Sequence, residues 1–168
     1  IAESVELPPD RAWVTFHLRP QAKFADGRPI TPEDVLFSHA ILRDKGYPYH
    51  RSHYSKVAKA EKLGAHSVRF TFEAAGDREV PLLLGLMPVL PRHRFEGDAF
   101  HRTTQGPPLG SGTYTVSRVD AGRSVTYRRN ENWWARDLPV MRGRFHFDEI
   151  RMEFFRDATT MFEAFKAG

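Results

Sequence analysis

The segment Phe24–Val35, FADGRPITPEDV, leaves a chain little conformational freedom. Asp26-Gly27 demands a turn, because glycine tolerates positive φ at no steric cost. Thr31 supplies a hydroxyl that accepts from the Asp34 backbone N–H, and Asp34 reaches back to Thr31, the capping-box pattern. Pro32 falls at the first helical position, where a missing N–H costs nothing. Glu33 and Asp34 set negative charge against the positive end of the helix dipole. A turn, a cap and a helix start are thus specified by neighbouring residues alone.

The flanks extend the pattern. Ala12–Arg19 alternates, with Val14, Phe16 and Leu18 on one side and Trp13, Thr15 and His17 on the other. This predicts a strand covered on both faces, since Trp13 is also large. Leu36, Phe37, Ala40 and Ile41 are expected to form the apolar face of a helix ending near Asp44. Tyr47–Tyr54 reads as a loop. Ser55–Lys62 and Ser67–Glu73 read as paired strands, with Val68, Phe70 and Phe72 inward. Ala74–Arg78 is a turn, Glu79–Met87 a short apolar helix with Pro81 in its first turn, and Arg92–Glu96 a brief helical turn.

Gly97–Gly112 reads as a connector rich in Gly and Pro. Thr113–Val119 and Ser124–Arg129 predict a hairpin closed by Asp120-Ala121-Gly122-Arg123. Asn130–Gly143 is irregular. Glu149–Phe155 predicts a strand with Ile150, Met152 and Phe154 on one face. Asp157 then caps a helix whose apolar side is Ala158, Met161, Phe162 and Phe165. Hairpin strands with a few packed helices argue an α+β fold with mixed or antiparallel sheets.

Composition narrows the function classes. With 168 residues, 40% of them hydrophobic and 27% charged, the chain has enough apolar content for a core. No apolar run approaches the roughly 20 residues of a membrane span. Ile1 is not an initiator Met and no charged segment leads into an apolar run, so the start is expected to be a cut. The chain stops just after a helix, so a further element is expected beyond it. The formal charge is +4, but the arginines are spread from Arg11 to Arg156 rather than set in a basic stripe. No nucleic-acid partner is expected. Such a role requires Arg128, Arg136, Arg142 and Arg144 to share a face with an exposed Trp133 or Trp134. The absence of Cys removes disulfides, thiolate zinc sites and thiol catalysis together.

The candidates for chemistry are sparse. His50 and His53 have HxxH spacing without the Glu of HExxH, so no metal is expected there. His17 lies among core residues of a strand and reads as a hydrogen-bonded structural histidine. His93 and His101 flank the connector and read as solvated. Ser111 in Gly110-Ser111-Gly112 lacks the GxSxG spacing. GPPLGSG lacks the Lys-Ser/Thr ending of a phosphate loop. Asp148 and Glu149 point to opposite faces of a strand and do not pair as acid and base. Trp133-Trp134 reads either as a stacking platform for bases or sugars, or as one core plug beside a surface cover. No catalytic residue and no cofactor is assigned.

Three ordered motifs carry a resemblance. Trp13–Ser38 is similar to the segment that marks family 5 of the extracellular solute-binding proteins, which serve peptide and nickel ABC importers. The family shows Phe-x-Asp-Gly-x-Pro-x-Thr-x-x-Asp-Val, and Phe24, Asp26, Gly27, Pro29, Thr31, Asp34 and Val35 match. Gly110-Ser111-Gly112-Thr113-Tyr114 and Arg129-Asn130-Glu131-Asn132-Trp133-Trp134 resemble its Gly-[ST]-Gly-Pro-Tyr and Arg-Asn-x-x-Tyr-Trp, with Thr113 and Trp133 as departures. FDEIRMEFFRDATTMFEAFKAG resembles its strand, Asp cap and helix. PVLPRHRFEGDAF and DLPVMRGRFHFDEI are most similar to the YejA-like oligopeptide-binding branch.

The resemblance implies part of one lobe of a two-lobed periplasmic clamshell, type II (cluster C), several times longer than this chain. Residues 1–106 would form the lobe's peripheral subdomain, and 107–168 the returning hairpin, strand and helix of its main sheet. The three motifs are expected to mark one framework, which strands placed in unrelated sheets would contradict. The implied function is the substrate-binding component of a bacterial ABC importer, a monomer located in the periplasm, or extracellular and membrane-anchored. Its partners would be a peptide ligand and the permease subunits. Leu82 and Gly85 are the ligand-contact candidates it supplies, from a helix that lines the cleft in some relatives; packing of that helix on its own sheet is the alternative. A family relative with another ligand (nickel, a sugar, an opine) remains open, as does a hydrolase using His50, His53 or Asp148.

Overall fold

A computed structural model of the chain describes residues 1–97, 100 and 106–168. They divide into two units, Ile1–Thr103 and Thr104–Gly168. Seven of the sixteen residues of the expected connector, His101 among them, lie outside the described residues.

In the first unit the alternating strands pair as expected. β1 (Ala2–Glu6), β2 (Trp13–Leu18), β3 (Val57–Gly64) and β4 (Ser67–Phe72) form one antiparallel sheet in the order β1-β2-β4-β3. Val14 lies opposite Phe70 and Phe16 opposite Val68, so the apolar positions of both strands share a face. On that face Val14, Leu18, Val68 and Phe70 join Val35 and Leu42 of α1 (Pro32–Lys45) in one core. The other face is covered by the sheet's own side chains. The Arg69 guanidinium lies 4.0 Å over the Trp13 ring, and its Nε donates to Thr15 Oγ1 at 2.9 Å. Thr15 is consequently 0% exposed. His17 is the hydrogen-bonded structural histidine expected, meeting Ser67 Oγ at 2.9 Å and Glu6 Oε1 at 2.8 Å.

The turn and cap form as read. Gly27 takes φ 86°. Thr31 Oγ1 accepts from the Asp34 N–H at 3.3 Å, and the Thr31 N–H donates to Asp34 Oδ2 at 2.9 Å.

Three expectations are corrected, and one strand is added. The buried face of α1 is set by Val35, Ser38, His39, Ile41 and Leu42; of the expected apolar residues Ile41 is buried, whereas Leu36, Phe37 and Ala40 are only partly so. Ser38 can go inside because its hydroxyl is bonded twice, donating to the Asp34 carbonyl at 2.6 Å and accepting from the Leu90 N–H at 2.7 Å. Tyr47–Tyr54 is a helix, α2 (Pro48–Tyr54), started by Pro48 at its first position and seated by buried Tyr54. His93 is not simply solvated: its Nε2 meets Asp26 Oδ2 at 3.0 Å and its ring packs edge-on against Phe24. β1, for which the sequence predicts no strand, is an edge strand whose side chains are mostly exposed, so it shows no buried period.

Two short helices complete the unit, α3 (Val80–Gly85) and α4 (Arg92–Phe95).

The second unit is an antiparallel meander of β5 (Tyr114–Asp120), β6 (Ser124–Arg129) and β7 (Glu149–Glu153), followed by α5 (Ala158–Ala167). Gly122 at φ 73° closes the predicted hairpin. Asp157 caps α5 by accepting from the Thr160 N–H at 2.7 Å. Within this unit Met152, Phe154, Met161, Phe162 and Phe165 are exposed. The strand of the first sequence motif therefore lies in the four-stranded sheet, while the hairpin and last strand share the other. Shared strand pairing across all three motifs is thus not what unites them. Among the described residues no helix is long and apolar enough to cross a membrane.

Candidate ligand-binding site

Helix α3 starts without a side-chain cap from its preceding residue, and Asp77 does the work instead. Asp77 Oδ1 accepts from the backbone N–H groups of Glu79 (2.8 Å) and Val80 (3.1 Å), while Oδ2 meets Lys56 Nζ at 2.9 Å. The Lys56 hydrogen bond, with the two amides, pulls the Asp77 carboxyl down to about 2. Val80 and Leu84 anchor the helix in the core.

That seating fixes where the two candidates point. Leu82 and Leu86, one helical turn apart, are 70% and 80% exposed. Gly85 instead lines a cavity of about 140 Å³ with Phe16, Phe70, Leu84 and Val89. Leu82 does not line this cavity. A Cβ built on Gly85 would meet Phe16 Cε1 at 3.8 Å, an ordinary contact, so space does not demand glycine there. Leu86, which carries no sequence signal of its own, sits at the i+4 position from Leu82 on the helix surface.

The hydrolase candidates are engaged separately. The His50 ring stacks on Tyr54 with centroids 5.7 Å apart. His53 donates from Nδ1 to the Tyr49 carbonyl at 2.8 Å. Asp148, in the other unit, is ion-paired with Arg129. Its neighbour Glu149 pairs with Arg128 at 2.9 Å, so the adjacent carboxylates serve different arginines. Among the described residues no group of three His, Asp or Glu is placed to hold a metal ion.

The tryptophan pair is tied to one atom. Both indole N–H groups donate to the Ser111 carbonyl, at 2.9 Å from Trp133 and 3.2 Å from Trp134. Both rings are partly buried, which differs from one plug beside one surface cover. Trp133 lines a second cavity, of about 300 Å³, with Arg129, Arg136, Arg144 and Phe145. Arg128 and Arg142 are not among its lining residues, so the four arginines of the nucleic-acid reading do not gather there.

The family description "Bacterial extracellular solute-binding proteins, family 5 Middle" matches residues 1–168. The chain belongs to this family. A relative from Brucella melitensis, named as a binding protein, is 49% identical over 169 residues, covering 100% of this chain and 28% of its own. YejA of Agrobacterium fabrum, named as a peptide-binding protein, is 39% identical over 175 residues, again covering 100% of this chain and 28% of its own. Among solved structures, AgaA of A. tumefaciens R10 in complex with agropinic acid superposes with a TM-score of 0.82 at 28% identity, over 99% of this chain and 33% of that one. The chain thus spans about 28% of the curated relatives it matches, and its α+β architecture with antiparallel sheets is found within periplasmic binding proteins.

Proposed function

We propose that this chain is part of the substrate-binding component of a bacterial ABC importer, which captures oligopeptides or peptide-like solutes and delivers them to the membrane permease. The observation that carries the reading is the family match over residues 1–168, together with the YejA relative named as peptide-binding. The protein works by lobe closure on a ligand, a hinge motion without covalent chemistry, in the periplasm or, if anchored, at the cell exterior. Residues 1–106 form the peripheral subdomain of its first lobe and 107–168 contribute to the main sheet. Leu82 contacts the ligand, helped by Leu86, because both present apolar surface from a helix anchored on its other side. Gly85 contributes by its place in the cavity wall beside them.

A second reading keeps the mechanism and changes the cargo to an opine. It is favoured by AgaA, which shares 28% identity and was solved with agropinic acid. Calorimetric titration of the intact protein with a peptide library and with opines in parallel separates the two. Micromolar peptide binding supports the first reading; saturable opine binding with no peptide heat supports the second.

A further inference from the structure

The cavity of about 300 Å³ in the second unit combines arginines and aromatic residues in its lining. Trp133 and Phe145 line it, their rings edge-to-face with centroids 5.6 Å apart. Three arginines line it too, but two are already engaged. Arg129 binds the Asp148 carboxylate, and its Nη1 donates to the Phe145 carbonyl at 3.0 Å. Arg136 donates to the Glu131 carbonyl at 3.1 Å and lies 3.6 Å from Asp137. Arg144 has no hydrogen-bond or ion-pair partner among the described residues.

The backbone beside Arg144 is held in an uncommon state. Phe145 adopts φ 59°, a left-handed conformation that bulky residues rarely take. Its carbonyl is fixed by Arg129, and its ring packs on Trp133 and, at 6.3 Å, on Tyr114. The segment after Gly143 is therefore locked so that Arg144 and the Phe145 ring line the same cavity.

We propose that this cavity binds a small carboxylate with a flat apolar body. The planar guanidinium of Arg144 matches a carboxylate through two parallel hydrogen bonds. The Trp133–Phe145 wall takes the body, and a volume near 300 Å³ suits a ligand of modest size. With Arg129 and Arg136 already engaged, the single unpaired guanidinium of Arg144 balances one negative charge, which favours a monoanion over phosphate. The assignment rests on the second unit alone and stands apart from the identity of the transported solute.

The test uses the intact protein with benzoate, its neutral isostere benzamide, and inorganic phosphate, followed by calorimetry and by the tryptophan indole resonances. Benzoate is expected to bind with a Kd on the order of 1 mM and to shift one indole signal. Benzamide and phosphate should bind at least about tenfold more weakly. Arg144→Ala should weaken benzoate by about tenfold or more, and Arg144→Lys by less, since it keeps charge without the fork. Arg128→Ala, whose arginine pairs with Glu149 outside the cavity, should change nothing. The proposal is overturned if benzoate does not bind, if benzamide or phosphate binds as well, or if Arg144→Ala leaves the affinity unchanged.

Discussion

The Asp34 carboxylate accepts a hydrogen bond from the backbone N–H of Arg92, 58 residues further along the chain, at 3.0 Å. Its other oxygen holds Thr31, through the backbone N–H at 2.9 Å and the hydroxyl at 2.8 Å. The capping box is thus also a tertiary clamp, which ties the start of α1 to the start of α4. Ser38, one turn on, repeats the device with the Leu90 N–H.

This gives two unequal costs at one cap. Thr31→Ala removes a local acceptor and should cost about 1 kcal/mol. Asp34→Ala also leaves the Arg92 amide without its partner and should cost about 2–3 kcal/mol. Urea unfolding of the intact protein measures both. Ligand affinity should stay within about twofold in Thr31→Ala, because the cap lies in the framework; a tenfold affinity loss without a stability change would contradict this.

Acid should loosen α3 through Asp77. Its folded pKa of about 2 lies below the ordinary 3.8. The unfolded chain therefore binds more protons between those values, and the stability it contributes is present above about pH 4 and lost as pH falls toward 2. Asp77→Asn should flatten that part of the stability-versus-pH curve and leave the curve above pH 5 parallel to the wild type. An unaltered acid slope in the variant would argue against the Lys56 pairing.

His39 should give a second, milder slope at higher pH. The side chain is 2% exposed, and desolvation lowers its pKa below 6.5, only partly offset by its 3.3 Å contact with the Tyr54 carbonyl. The folded state keeps it neutral while the unfolded chain protonates near 6.5. Stability is therefore full above that value and declines as pH falls below it. His39→Leu should remove this decline in chemical-denaturation curves taken between pH 7 and 5.

The contrast between Thr31 and His39 shows what a sequence can disclose. Thr31, Pro32 and Asp34 lie within four positions, so their cap is written in adjacent letters. Ser38 and His39 are not among the residues expected on the apolar face, because their partners, Leu90 and Tyr54, come from distant turns of the chain. The α2 segment PYHRSHY reads as a loop because it has few strong helix formers and no apolar period; buried Tyr54 is what seats it as a helix. Leu82 was reachable through family resemblance, whereas its exposure required the anchoring of α3 to be known. Arg144 enters the sequence analysis only as one of four arginines and, with Phe145, inside the YejA-like segment; their meeting with Trp133 has no sequence signal, since a cavity is made by residues that meet only after β6 and the irregular segment fold together.

The exposed leucines offer a direct mutational test. Leu82→Asp should lower peptide affinity by about tenfold with little change in melting temperature, since the residue is 70% exposed. Gly85→Ala should act more weakly, given the ordinary 3.8 Å contact its Cβ would make. Paired calorimetry and thermal melts separate loss of contact from loss of fold.

The most direct measurement is calorimetric titration of the intact protein against defined peptides, with the products checked by mass spectrometry. The account predicts one-to-one binding with a Kd in the micromolar range or tighter, and recovery of the peptide unchanged. No saturable peptide binding, or cleavage of the peptide during the titration, would contradict it.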